Sequence, residues 1–195
     1  MTQAASTAAI ESRYPRSAGS GDAAFELRLM GRADADAMVQ FARSLPPDDL
    51  LFLRRNITDP AAVEGWIDNI EAGSAVVVLA LSGGQLAGYA SLNLNLANWM
   101  RHLGELRLLT GTGYRGVGLG RILASEIYAV SRLLGLRKLS AQMTLDQAGA
   151  RATFERLGFR PEALLTDWVM DAKGRTRDLL VMAYDLEGLT DTVDA

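Results

Sequence analysis

Residues 108–124, LLTGTGYRGVGLGRILA, place five glycines within ten positions directly after an apolar run, and they constrain the fold more than any other stretch. The segment contains G-x-G-x-x-G at 111–116, the spacing typical of a dinucleotide-binding loop. It also contains R-x-x-G-x-G at 115–120, a different phosphate-binding pattern. The two interpretations predict different folds and different ligands.

The dinucleotide interpretation requires a helix that opens at the loop and an acidic residue about 20 positions later. A helix starting at Gly113 would include Gly116, Gly118 and Gly120, and each interior glycine costs about 1 kcal/mol relative to alanine. The first acidic residue after the next predicted strand is Asp146, well beyond the expected spacing. No G-K-[ST] follows the loop. A nicotinamide, flavin or Walker A site is therefore disfavoured.

The second pattern fits its surroundings, because a predicted strand ends at Thr110 and an amphipathic helix begins at Gly120. Glycines between them let the backbone approach a ligand and present successive N–H groups to it. The helix N-terminus adds a field that favours a diphosphate. The alternative is a flexible connector, which alternating glycines directly before a strong helix do not favour. We predict a phosphate-binding loop, with Arg115 supplying charge at its mouth or lying on the surface.

The composition is that of a soluble globular protein. The 195 residues are 49% apolar and 22% charged, which suits one domain with a sizeable core. A net charge of −3 gives no electrostatic reason to expect a nucleic-acid partner. The absence of cysteine and the single histidine disfavour a disulfide framework, a thiol nucleophile and a metal site. No run of about 18 apolar residues predicts a membrane helix, so we expect a cytoplasmic protein without a membrane partner.

Hydrophobic periodicity predicts the element order β-α-α-β-β-β-α-β-α-β-β. The predicted strands are AFELRLM, AVVVLAL, LAGYASLNLNL, GELRLLT, KLSAQMT, EALLTDWVMD and DLLVMAYDL. The predicted helices cover residues 34–45, 60–72 and 120–134 and a stretch capped by Asp146 and ended by Gly158. Consecutive hairpins followed by a strand–helix–strand crossover imply a single α/β domain, with a mixed, mostly antiparallel central sheet flanked by helices.

The ends of the chain are assigned separately from the domain. Residues 1–22 are small and polar and lack the apolar core of a secretory signal, so we expect a disordered leader. Residues 23–188 are assigned to the folded domain, and residues 189–195 to a tail.

Two motifs at a fixed separation resemble the GNAT N-acetyltransferase superfamily. RGVGLGRIL, residues 115–123, is similar to its R/Q-x-x-G-x-G/A motif for the pyrophosphate of acetyl-CoA. QAGARATFERLGF, residues 147–159, is similar to its N-x-x-A-x-x-x-Y-x-x-x-G-F helix. The likeness covers about residues 24–186 and includes the element order. The resemblance implies an enzyme that transfers an acyl group, most commonly acetyl, from acyl-CoA directly to a small-molecule or protein amine, without a metal.

The resemblance also implies which residues bind acetyl-CoA. The strand backbone before the loop would bind the pantetheine arm and the acyl carbonyl, and the loop would bind the pyrophosphate. Two residues of the later helix motif would contact CoA, although both depart from the family pattern of asparagine and tyrosine. In chain order the set is Leu108, Leu109, Thr110, Arg115, Gly116, Val117, Gly118, Leu119, Gly120, Arg121, Gln147 and Phe154.

The catalytic residues implied by the resemblance are less complete. Glu105 is the carboxylate nearest the loop along the strand and corresponds to a frequent family base; the alternative is a strand residue that pairs with Arg107. Phe154 replaces the family tyrosine that protonates the leaving thiolate, and a phenyl ring cannot donate a proton. Spacing favours no substitute among Tyr114, Tyr128 and Tyr184. This departure leaves a CoA-binding module without turnover as the alternative function.

The other notable side chains favour structural roles. Trp66 lies in the apolar stripe of a helix and is expected in the core, together with three methionines on strands: Met143, Met170 and Met182. His102 precedes a strand and is interpreted as a loop or cap residue. Trp99 lies in a loop between strands and could form a pocket wall.

Two features bear on partners. Arg54 and Arg55 occupy the region in which the family builds its acceptor wall, so they could meet an acidic group of the acceptor or be a solvated charge pair. Exposed sheet edges in this fold often pair, which leaves a homodimer open.

Overall fold

One mixed sheet organises the chain. The computed structural model describes residues 3–186 apart from 22–23, 52, 54, 96–98 and 172. The strands are β1 (Arg16–Ala18), β2 (Phe25–Leu29), β3 (Ala75–Ser82), β4 (Gln85–Leu94), β5 (Leu103–Thr110), β6 (Lys138–Thr144), β7 (Arg160–Met170) and β8 (Thr176–Asp185). They form an eight-stranded sheet in the order β1-β2-β3-β4-β5-β6-β8-β7. Its described pairs are antiparallel except β5 with β6, which confirms the predicted fold class.

Helices cover both faces of this sheet. They are α1 (Gln3–Glu11), α2 (Ala35–Arg43), α3 (Pro47–Leu50), α4 (Pro60–Glu71), α5 (Leu119–Leu133) and α6 (Ala148–Arg156), with 3-10 turns at Arg32–Asp34 and Thr112–Tyr114. Val78 and Ala80 of β3 face the core that α5 fills, whereas Val77 and Leu79 face the core of α2 and α4. This alternation buries AVVVLAL on both faces of the sheet.

Local signals at the ends of elements are largely confirmed. The Asp59 side chain accepts a hydrogen bond from the Ala61 N–H and caps α4, and Pro60 occupies its first turn. Gly83 and Gly84 both have positive φ and close the β3–β4 hairpin. One cap is wrong: α6 begins after Gln147 rather than Asp146, because the Gln147 carboxamide accepts from the Thr144 N–H.

The prediction of a disordered leader is wrong for residues 3–21. They form α1 and β1, which pairs with β2, and Ile10 is buried in the core. Arg13, Tyr14 and Arg16 converge on Glu126 of α5, whose carboxylate accepts from the Arg13 guanidinium at 3.2 Å and from the Tyr14 hydroxyl at 3.0 Å. Burial and the Glu126 charge raise the pKa of Tyr14, so its hydroxyl stays a donor. The partner lies more than 100 residues away, beyond any local pattern.

Four further expectations from the sequence concern the methionines, a membrane helix, a metal site and the tail. Met143 and Met182 are buried as expected, but Met170 is 64% exposed because β7 is an edge strand. None of the described helices is long and apolar enough to cross a membrane. The described residues contain no group of three or more side chains that could hold a metal ion. The predicted tail at 189–195 lies outside the described residues.

Replacing Glu126 by glutamine should lower the free energy of unfolding by about 1–3 kcal/mol, since hydrogen bonds to a buried charge are lost while the shape is kept. Urea denaturation followed by circular dichroism measures the change. Glu155→Gln is the matched control: its pair with Arg151 is exposed and spaced i,i+4, so its effect should stay within about 0.5 kcal/mol. Equal losses in the two variants would contradict the anchoring role of Glu126.

Candidate active site

The candidate site opens where two parallel strands separate. β5 and β6 pair only at residues 103–105 with 138–140, whereas β4 accompanies β5 as far as Thr110. Beyond the paired residues, the edge of β5 that faces β6 borders a cleft of about 1000 Å³, at the upper end of the range for small-molecule sites. Gln142 and Met143 of β6 line the opposite wall.

Backbone alternation determines which β5 groups face this cleft. The Gly111 N–H donates to the Ala87 carbonyl at 2.8 Å, so it points toward β4. Because backbone groups of a strand alternate between its two edges, those of Leu109 also point toward β4, and those of Leu108 and Thr110 point toward the cleft. These two residues offer the donors and acceptors that an extended ligand arm could pair with.

The glycine loop forms the end of the cleft. Gly116 and Gly118 have φ of +79° and +86°, a left-handed backbone that glycine adopts without strain, and Gly118 is the residue from which α5 begins. The Leu119 and Gly120 N–H groups in the first turn of α5 have no acceptor within the helix and border the cleft, whereas the Arg121 N–H donates to the Gly118 carbonyl at 3.0 Å. The arrangement suits an anionic group.

All of the residues predicted to bind acetyl-CoA line this one cleft except Val117, which is 46% exposed. Strand, loop and α6 residues far apart in sequence therefore meet around a single space. The cleft lining also includes Asp49 and Tyr114, whose contribution the motifs did not indicate. Asp49 of α3 forms an ion pair with Arg115 of the loop.

Phe154 of α6 lines the cleft. Phe154 is 8% exposed and packs edge-to-face on Phe159 with ring centroids 5.0 Å apart. Of the tyrosines considered, Tyr114 lines the cleft. Tyr128 instead donates its hydroxyl to the Leu157 carbonyl and stacks on Tyr184, and its pKa is raised by burial.

The Glu105 side chain lies on the face of β5 opposite to the leucines that pack with α5. It is 8% exposed and is not among the residues that line the cleft. Its Oε1 accepts from Nε of Arg107 at 2.8 Å and lies 2.7 Å from NH2 of the same guanidinium. The pairing that the sequence left as an alternative is therefore present, although the residue is buried rather than solvated. Arg107 itself lines the cleft and so connects Glu105 to it.

A second, smaller pocket of about 20 Å³ lies on this face of the sheet. Its described lining residues are Leu53, Arg55, Ile57, Trp66, Tyr89, Ser91, Asn93 and Arg107. Burial raises the pKa of Tyr89 against the opposing influence of the Arg107 and Arg55 charges, so the Tyr89 hydroxyl remains neutral. The sequence predicted Trp66 as core, which its 3% exposure confirms, but it did not indicate that the indole borders a pocket.

Two other described residues, Trp99 and His102, lie apart from both pockets. Trp99 is 82% exposed and lines neither, so the interpretation as a pocket wall is wrong. His102 is exposed, and its carbonyl accepts from the Arg137 N–H, which agrees with a loop or cap role. Arg54 lies outside the described residues.

Comparison with known proteins gives one family. The sequence model described as the acetyltransferase (GNAT) family matches residues 40–159. The ribosomal-protein-alanine N-acetyltransferase from Brucella melitensis is 26% identical, with a TM-score of 0.72 over 82% of this chain and 98% of that one.

Two further solved structures share the fold at lower identity. The Salmonella typhimurium acetyltransferase yncA, solved with its cofactor acetyl-CoA, is 22% identical, with a TM-score of 0.71 over 83% of this chain and 94% of that one. A GNAT-family acetyltransferase from Streptococcus pneumoniae is 20% identical, with a TM-score of 0.69 over 83% and 99% of the two chains. None of the curated proteins matches the sequence.

Proposed function

Because the chain belongs to the acetyltransferase (GNAT) family, we propose that it transfers the acetyl group of acetyl-CoA to a primary amine by direct attack. The observation that carries this proposal is the cleft between β5 and β6. The unpaired edge of β5, the glycine loop and the N-terminus of α5 all border this one cleft. Its polar groups suit an extended amide-containing arm at one end and a diphosphate at the other. Acetyl-CoA has both parts.

In this proposal the donor is held mostly by backbone groups. The cleft-facing amides of Leu108 and Thr110 bind the pantetheine arm and, during transfer, the developing oxyanion. The amides of Gly116, Gly118, Leu119 and Gly120 bind the pyrophosphate, and Arg115 adds a positive charge at the mouth. Phe154 and Gln147 pack against the thioester end and the CoA body. Val117 is not included among the binding residues, because it does not line the cleft.

The transfer itself breaks one bond and forms another. The amine nitrogen bonds to the thioester carbonyl carbon, the C–S bond breaks, and its electron pair leaves with the CoA sulfur. An amine with a pKa near 10.4 is almost entirely protonated at neutral pH, so a base must accept a proton before or during attack. A thiol with a pKa near 8.5 leaves as a thiolate without an acid, which accommodates the phenyl ring at Phe154.

We assign the base to Glu105, acting through a bridging water. The carboxylate is buried and does not line the cleft, so in this proposal a water carries the proton to it. Arg107 holds Oε1 at 2.7–2.8 Å and so fixes the position of the carboxylate. Arg107 is a positioning residue in this scheme.

Gly120→Val should weaken acetyl-CoA binding at least tenfold with little change in stability. A β-carbon at this position meets only the Leu108 Cδ2 at 3.6 Å, so the protein tolerates it, whereas the branched side chain fills space at the cleft. Calorimetric titration gives the affinity, and urea denaturation gives the stability. Gly65→Val in α4, where a β-carbon meets no heavy atom within 4 Å, is the control. Unchanged affinity in Gly120→Val would mean that the loop is only a connector.

Glu105→Gln should lower kcat/KM by about 10²–10⁴ at neutral pH, because the base is lost while the shape is retained. The rate should partly return at alkaline pH, where the amine deprotonates without help. The pH–rate profile is the measurement, and the acetyl-CoA affinity should stay constant. Glu105→Asp, which keeps a carboxylate, should retain more activity than the glutamine variant. Parent rates across the whole pH range in Glu105→Gln would exclude the residue as base.

Phe154→Tyr distinguishes the enzyme from a CoA-binding module without turnover. The added hydroxyl would supply a proton to the departing sulfur and should raise kcat if thiolate departure limits the rate. Free-thiol release from acetyl-CoA in the presence of amines is the readout. Tight acetyl-CoA binding with no thiol release by either form, over a broad amine panel, would favour the module instead.

A further inference from the structure

The small pocket beside the cleft has the chemistry of an anion site. Its lining carries two guanidinium groups, Arg55 and Arg107, together with the hydroxyl groups of Tyr89 and Ser91 and the carboxamide of Asn93. Among the described residues that line it, none is aspartate or glutamate. Guanidinium groups match a carboxylate in geometry as well as in charge. The pocket volume of about 20 Å³ accepts a group of only a few atoms.

Trp66 supplies a second, independent observation. Trp66 is 3% exposed, and its indole N–H has no hydrogen-bond partner among the described residues. A buried donor left unpaired costs free energy, and such groups in folded proteins point to a missing acceptor. Trp66 lines the pocket and the Arg55 guanidinium lies 5.2 Å from its ring centroid, so an unpaired indole and a cation border the same space.

The pocket adjoins the place where the amine must react. Leu53 and Arg107 line both the pocket and the donor cleft. Arg107 is the register partner of Ser91, and the next residues along β5, Leu108 to Thr110, border the donor cleft. The two spaces are therefore adjacent, and a molecule bound in the pocket would extend past Arg107 toward a bound donor.

We propose that the acceptor is a small primary amine that carries a carboxylate a few bonds from its nitrogen, as in a free amino acid, and that this pocket binds the carboxylate. The inference rests on the proposed acetyl transfer and names the class of its second substrate. Arg55 and Arg107, the latter already paired with Glu105, favour an acid over a polyamine. The carboxylate accepts from Arg55, Arg107 and the Trp66 indole, while the amine faces the donor cleft near Glu105.

Matched acceptors test the proposal on the intact protein. The L-α-amino acids are each compared with their carboxamides, which keep the amine and side chain but lose the charge, and spermidine represents polyamines. Thiol release from acetyl-CoA gives kcat/KM, divided by the fraction of unprotonated amine because amides are less basic. The best acid should exceed its amide by about tenfold to a hundredfold, the range for lost charge-assisted hydrogen bonds.

Arg55→Gln tests the pocket itself. This variant should raise KM for the acid and bring the acid-to-amide ratio close to one, with KM for acetyl-CoA unchanged. Arg32→Gln is the matched control, since Arg32 pairs with Asp68 and Glu71 on the surface of α4 and should leave the ratio intact.

The outcomes separate this inference from the function beneath it. Equal or better use of amides or spermidine, or a ratio that persists in Arg55→Gln, overturns the carboxylate site and leaves acetyl transfer standing. Stabilisation of the protein by acetyl-CoA, without acetylation of any amino acid, also overturns it. If acetyl-CoA does not stabilise the protein in thermal unfolding, and the protein acetylates no amine with it, the proposed function is overturned. This inference then falls with it.

Discussion

β5 and β6 run parallel and pair over only three positions before they diverge, and the unpaired edge that results shapes everything around it. The backbone groups along a strand edge inside a sheet normally form hydrogen bonds with a neighbouring strand. A buried edge without such partners costs free energy. Here β4 and α5 hold β5 in place while the opposite edge stays accessible to a ligand. The fold thus supplies polar groups without any specialised side chain, which explains how a site can persist although Phe154 and Gln147 depart from the family residues.

The same strand serves two different surfaces because its side chains alternate. Leu106 and Leu108 pack into the core with α5, whereas Glu105 and Arg107 lie on the opposite face with the small pocket. The backbone edge between those faces borders the donor cleft. The proposed donor and acceptor sites consequently lie next to each other at the same strand. Arg107, which lines both spaces, is the residue at which the two sites meet.

Sequence patterns predicted the parts of this arrangement that depend on neighbouring residues. The β5–loop–α5 unit follows from an apolar strand, alternating glycines and an amphipathic helix, and its residues do meet in one cleft. The failures involve contacts between distant segments. Residues 3–21 looked unstructured because their partner, Glu126, lies on α5, and Met170 looked buried because alternation does not reveal an edge strand. The unpaired Trp66 N–H could not be anticipated either, because a partner's absence is visible only once the helix is packed.

The ion pair between Arg115 and Asp49 affects which anions can occupy the mouth of the cleft. A simple monovalent anion that approaches Arg115 must displace a carboxylate that already satisfies the guanidinium, so it gains almost nothing. A diphosphate brings more charge and also reaches the amides of the glycine loop, which Asp49 does not use. Partly exposed ion pairs of this kind contribute about 0–1 kcal/mol of free energy, so the larger ligand displaces Asp49 at little cost. Asp49 is therefore a weak competitor of any anion that approaches Arg115.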